Sequence, residues 1–297
     1  MEKTDRQNLK VLVRGAYDIQ RLRIQMGNRI VANFKAKLGQ SPGTSEEELD
    51  EDAKKLLAKL RRHHALMAEA VLKRRTKKTI FPGDEVISSF TEFCLMDQYI
   101  VLEKSEDDHF AKLKKVVSEY PIFSRFLDGV KGCGPAMSGV IISEIDITKS
   151  RHPSSIWKYC GLDVAGDGKG RSKKKEHLVK AKYTTKEGTE AEKDSITFNP
   201  FIKTKLLGVL GPCFLKAKNE KYSQMYADYK HRLENHATYK DVSKGHRHNM
   251  AMRYIVKQFL VELYTKWREI EGLPVSVPYA EAKLGLVHGE EKKVVNG

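Results

Sequence analysis

The sequence predicts a mainly α protein in two parts. The first is an antiparallel coiled-coil helical arm over residues 1–120. The second is a helical nucleic-acid-binding domain over residues 121–297, with a helix-hairpin-helix and basic loops. Three observations carry this. Asp5 to Leu38 contains no proline, and Leu49, Ala53, Leu56, Leu60, His64, Met67 and Val71 then recur at steps of three and four. GVKGCGPAMSGVIISEI at 129–145 places a Gly-x-Gly turn before a run of small and apolar residues. The 297-residue chain carries a formal net charge of +15, and its cations crowd into one stretch between Lys169 and Lys186.

Taken in order, the first long helix ends at LGQSPGTS (38–45), a run of breakers. Ser45 and Glu48 have capping-box spacing, and Glu46 to Glu48 suit the start of the second helix. Phe81-Pro82-Gly83 breaks that helix. A third is expected over Asp84–Lys104 and a fourth over Asp107–Glu119, before Pro121. In the second part, Ser195–Pro200 reads as an extended piece or turn, and TKEGTEAEKD (185–194) as a surface loop. Helices are expected over Phe201–Lys216, interrupted near Gly211-Pro212, then over Lys221–Glu234 and Asn249–Gly272. Leu273–Gly285 reads as an extended tail docked on the domain.

Composition narrows the function. The chain is 40% hydrophobic and 31% charged, with no apolar run long enough for a bilayer and no secretory leader, so a cytoplasmic protein is expected. Cys94, Cys133, Cys160 and Cys213 form no C-x-x-C pair, which argues against a zinc ribbon or redox motif. His63 and His64 are adjacent and cannot share a helix face; neither metal nor cofactor is expected there. Lys169, Arg171, Lys173, Lys174, Lys175, Lys180, Lys182 and Lys186 are opposed between 169 and 186 only by Glu176. The stretch GKGRSKKKEH lacks the interleaved large apolar residues of a lipid-binding helix, so nucleic acid is the favoured partner.

The candidate contacts follow from that partner. Gly132 and Gly134, with Lys131 beside them, would offer backbone amides at a helix start to a phosphate; a purely steric turn explains the glycines equally well. Lys149, Arg151 and Lys158 add charge around HPSSIWKYCGL (152–162). Ser154 and Ser155 would donate to phosphates or cap a helix starting near Ile156. Tyr159 and Trp157 are candidates for stacking on an unpaired base, with at least one expected in the core. In KGHRHNMAMRY (244–254), His246, Arg247 and Arg253 fit a helix start beside nucleic acid, with a plain polar loop as the competitor.

From Phe126 to about Gly285 the chain resembles the C-terminal transposase domain of the bridge-RNA-guided insertion-sequence transposases. The resemblance rests on Gly132 and Gly134, Glu144-Ile145-Asp146, His152 to Leu162, and the basic loop. In that family a serine nucleophile lies a few residues past the Gly-Leu turn; here Ala165 and Gly166 occupy that slot, and Ser172 is the nearest serine. The acidic tetrad of the family's nuclease domain has no counterpart in the first half, and Ser172 shows neither an evident base nor an acidic partner in sequence. The layout of an arm before such a domain also resembles the Nop domain of box C/D ribonucleoproteins, shared by the Tas proteins of tandem interspaced guide RNA systems. Gly132, Gly134, Pro153, Ser154, Ser155, Lys158, Gly161 and Leu162 carry that likeness.

The resemblance to a nuclease-free Tas protein implies a homodimer joined through the arm, a guide RNA held by the Nop-like domain, and target DNA chosen by base pairing, with any nuclease acting in trans. Proteins that delegate sequence reading to RNA need a surface that grips backbones. The expectation is an RNA-binding, RNA-guided ribonucleoprotein without catalysis. The alternatives are a transposase or recombinase acting through Ser172 and an unguided nucleic-acid scaffold.

Overall fold

The computed structural model describes residues 3–39, 46–72 and 86–277, and the chain is mainly helical. It divides into two compact units, Val11–Lys112, and Met1–Lys10 with Leu113–Gly297. Residues 3–10 therefore belong with the C-terminal part. Expected features at 40–45, 73–85 and 278–297 lie outside the described residues.

The Val11–Lys112 unit is built from α1 (Lys3–Lys37), α2 (Glu46–Leu72) and α3 (Phe90–Ser118). Ile30, Phe34, Leu56, Leu60, Met67, Ile87, Met96 and Tyr99 share one core. The middle of the expected α2 seam, from Leu56 to Met67, is buried within the chain. His64 is buried in it, stacked on Phe93 at 4.7 Å with Nε2 3.2 Å from Asp97 Oδ1, while His63 Nδ1 accepts from the Ile87 amide.

The rungs Arg23–Glu106 and Lys37–Glu92 make α1 and α3 antiparallel. They also explain why α3 is one uninterrupted helix where two were expected. Within the charged run at its middle, Glu106 is buried and takes both Arg23 and Gln20, while Lys104, Asp107 and Asp108 stay exposed. That pairing raises the Arg23 pKa above its ordinary value, chiefly through the Glu106 hydrogen bond.

The other unit forms around a long C-terminal helix. Its helices are α4 (Pro121–Arg125), α5 (Pro135–Glu144), α6 (Pro153–Tyr159), α7 (Pro200–Lys205), α8 (Gly211–Lys216), α9 (Glu220–Asn235) and α10 (Lys244–Ile270). A buried stripe down α10, including Ala251, Ile255, Phe259, Leu263 and Trp267, keeps helical spacing and faces the core. Phe214 and Tyr222 stack at 4.3 Å, and both lie against Phe259. Between α7 and α8 the chain makes a π turn, Leu206–Leu210. Pro212 has no amide to donate, and the wider turn relieves that loss. Gly211 lets α8 close on Met252 of α10, where any Cβ would meet the sulfur.

A first correction in this unit concerns residues 185–194. The segment read as a surface loop forms the turn and second strand of a β-hairpin. Strands β1 (Val179–Thr184) and β2 (Glu190–Ser195) pair antiparallel with Val179 opposite Ser195 and Thr184 opposite Glu190. Neither strand has a fully buried residue, so no core face produced the apolar alternation that announces a strand.

Candidate nucleic-acid interface

The lysine-rich stretch is an ordered platform. Helix α6 ends in a Schellman motif: the Leu162 amide reaches Trp157 O at 2.8 Å and the Gly161 amide reaches Lys158 O at 3.1 Å. Gly161 has φ +65, and a Cβ there would press on the Phe198 ring. The chain then folds back on itself. Val164 bridges Gly170, and the Arg171 amide donates to Asp163 O at 3.1 Å. Asp167 closes the tip by accepting from the Lys169 amide at 2.9 Å. Lys169, Lys173, Lys174 and Lys175 project from this fold, exposed and without an ion pair among the described residues.

Ser172 sits in a relay that the sequence did not show. Its Oγ lies 2.8 Å from His177 Nδ1, and its backbone amide donates to the same nitrogen at 2.9 Å. An amide can only donate, so Nδ1 is the acceptor and the ring proton sits on Nε2. That Nε2 donates to Asp167 Oδ2 at 3.2 Å. Asp167 is held below the usual carboxylate range, first by the Lys169 amide and then by His177. The expectation that Ser172 lacks a base and an acid is thus corrected. His177 stands five residues on, separated by lysines, and no helical or strand period marks the pairing.

Behind the platform lies a layer of half-buried cations. Arg171 holds Asp163 Oδ2 through Nε and Nη2 at 3.0 and 2.9 Å. Lys203, on α7, donates to Arg171 O and lies 4.5 Å over the Phe198 ring. Arg253, on α10, donates to Gly161 O at 3.3 Å and backs onto Gly170, where a Cβ would come within 2.5 Å of the guanidinium. Lys257, one turn further along α10, lies 4.1 Å over the Trp157 ring.

Burial depresses all three basic groups. Lys203 falls to about 8, through burial first and Arg253 second, with Asp163 opposing. Arg253 and Lys257 move the same way for the same leading reason. Sequence reading selected Arg171 and Arg253 here but missed Lys203 and Lys257, which look like ordinary helix-surface lysines.

A cleft of about 320 Å³ gathers Lys149, Ser155 and Tyr159 with Arg6, Lys10 and Glu144. Arg6 pairs with Asp146 at 2.9 Å and Lys10 with the buried Glu144 at 3.2 Å. Asn199 Nδ2 joins Glu144 and the Tyr159 hydroxyl at 2.7 and 2.9 Å. Burial pushes the Asp146 pKa up, but the Thr148 hydroxyl and the Arg6 and Lys149 charges outweigh it and hold the group low.

The remaining expected residues divide. Lys131, Arg151, Lys158, Tyr159 and His246 are exposed. Gly132 serves packing: at φ +96 it lies against the Cys213–Phe214 backbone, and Asn219 ties Lys131 O from the same side at 3.0 Å. Gly134 is exposed at the start of α5, with ordinary φ. Ser154 and Ser155 do not cap a helix at Ile156. Helix α6 starts at Pro153 with His152 as its N-cap, so both serines lie in its first turn.

Trp157 is core, donating to Lys257 O at 3.3 Å. Lys180 pairs with Asp194 at 2.8 Å, and Lys182 approaches Glu190 at 3.9 Å. Arg247 is buried and caps the preceding loop through the Tyr239, Lys240 and Val242 carbonyls, so its expected place at a nucleic-acid surface is withdrawn.

No family model, curated protein or solved structure matches the chain. Among the described residues, no helix is long and apolar enough to cross a membrane, and no acidic, His or Cys group of metal-site size occurs.

Proposed function

We propose that this chain is an RNA-binding protein that holds a guide RNA, forms an RNA-guided DNA-targeting ribonucleoprotein, and has no nuclease of its own. The supporting observation is the ordered lysine platform. Lys169, Lys173, Lys174 and Lys175 make no ion pair among the described residues, Asp163 and Asp167 are engaged within the fold, and Glu176 is the one further carboxylate beside them. A polyphosphate backbone supplies the missing counter-charge, and a platform of this kind grips phosphates without reading bases. Guidance and the DNA target rest on the resemblance to the Tas proteins. A homodimer and a nuclease in trans belong to the same reading. Because the middle of the α2 seam, from Leu56 to Met67, is buried within the chain, a dimer would use another face.

One observation favours a second reading, a transposase or recombinase acting through Ser172. The Asp167–His177–Ser172 relay would let His177 Nδ1 take the hydroxyl proton while Oγ attacks a phosphodiester, expelling a sugar hydroxyl and leaving a phosphoserine ester. Titration of stripped protein with labelled single-stranded RNA and duplex DNA separates the two. The first reading expects tight, salt-dependent binding with strands intact and Ser172→Ala binding as wild type. Strand scission or a covalent adduct lost in Ser172→Ala establishes the second.

A further inference from the structure

Four basic side chains, Arg171, Lys203, Arg253 and Lys257, are half-buried around a single carboxylate, Asp163. Arg171 pairs with that carboxylate through Nε and Nη2, both on Oδ2, while Oδ1 is buried without a hydrogen-bond partner. The other three make no ion pair among the described residues, although Asp163 lies near enough to act on each. Lys203 and Lys257 rest on aromatic faces, which tolerate a desolvated cation but do not cancel its charge. Arg253 and Lys203 each donate to a backbone carbonyl, a task a neutral donor performs at less desolvation cost. Gly170 lets the loop backbone pack close against the Arg253 guanidinium, where a Cβ would come within 2.5 Å. Charge kept where burial opposes it, with no ion pair of its own, is what a preformed anion seat requires.

We propose that Lys203, Arg253 and Lys257 form a phosphate seat beneath the lysine platform, which takes one backbone phosphodiester of the bound polynucleotide and fixes its register. The inference rests on the nucleic-acid reading above. The exposed lysines add affinity; the seat positions the strand. A bound phosphate also holds Lys203 protonated, so binding takes up a proton. Lys203 is half-deprotonated near its pKa of about 8, and its contribution to affinity is therefore full below that pH and falls as pH rises above it. The charged groups acting on Lys203 are Arg253 from α10, and Asp163 and Lys173 from the platform. Lys257 adjoins Arg253, and the His177–Asp167 pair lies on the neighbouring turn.

The test is fluorescence anisotropy of a short labelled single-stranded RNA, with wild type, Lys203→Arg, Lys203→Gln and Lys257→Gln, from about pH 7 to about pH 9. Inorganic phosphate serves as competitor, and thermal melts confirm that each variant is folded. Lys257→Gln is expected to weaken binding about tenfold and to lower the salt slope by about one. Wild type should lose affinity through the Lys203 titration, whereas Lys203→Arg should stay flat because its guanidinium does not titrate there.

Wild-type binding with unchanged salt and pH slopes in Lys203→Gln and Lys257→Gln overturns the seat and leaves the nucleic-acid reading standing. Should Lys203→Gln fail to fold, Lys257→Gln and Lys203→Arg decide alone. Binding of inorganic phosphate at the seat without RNA binding assigns it to a small phosphate compound and overturns both, as does binding of neither.

Discussion

Gly132 shows how one residue carries more than its sequence context suggests. Its left-handed φ of +96 and its contact with the Cys213–Phe214 backbone both exclude a Cβ. Gly132→Ala is expected to destabilise by about 2 kcal/mol or more, read as a lower denaturation midpoint, because neither the turn nor the backbone beneath it can yield. Lys218 is the converse, a non-glycine residue at φ 51 closing α8. Lys218→Gly should stabilise by about 1 kcal/mol, since glycine adopts that conformation without strain; a lower melting temperature would contradict this.

The residue scale is also where sequence reading was weakest. Arg247 and Arg253 share one helix and look alike in sequence, yet one is spent on loop carbonyls and the other lies in the cation layer. Side-chain direction separated them, and it depends on where the preceding loop folds.

Among the elements, long apolar periods were legible and charge-patterned ones were not. The α10 stripe keeps its helical step over its whole length, so its core residues stand out, and Phe259→Ala is expected to cost about 3–5 kcal/mol in an equilibrium unfolding measurement. The β-hairpin left no such trace. Its register instead pairs Lys180 with Asp194 and Lys182 with Glu192, a cross-strand charge pattern that resembles a solvated loop in linear sequence. With no fully buried residue in either strand, excision of 180–194 should leave the melting temperature within a few degrees, roughly the scale of a 1 kcal/mol change. Collapse of the fold on excision would show that the ribbon carries structural contacts. The capping reading of Ser154 and Ser155 missed because Pro153, which suits a first helical position, starts the helix three residues earlier.

For the whole molecule, a net charge of +15 points to a polyanionic partner, and mainly helical architecture was legible in proline placement and periodicity. The arrangement behind the lysine loop was not legible. It joins residues near 163, 203 and 253 through contacts that no local period encodes. Replacing Lys169, Lys173, Lys174 and Lys175 with glutamine should flatten the salt dependence of RNA binding by up to about 0.7 per lysine, measured as the slope of log affinity against log salt. An unchanged slope would place the polyanion elsewhere on the surface.

The most direct measurement is to purify the protein from cells carrying its native flanking DNA and to sequence the nucleic acid that accompanies it. Guided binding requires a discrete set of short RNAs from one array. Heterogeneous cellular nucleic acid that washes away in high salt would contradict it and leave an unguided polyanion binder.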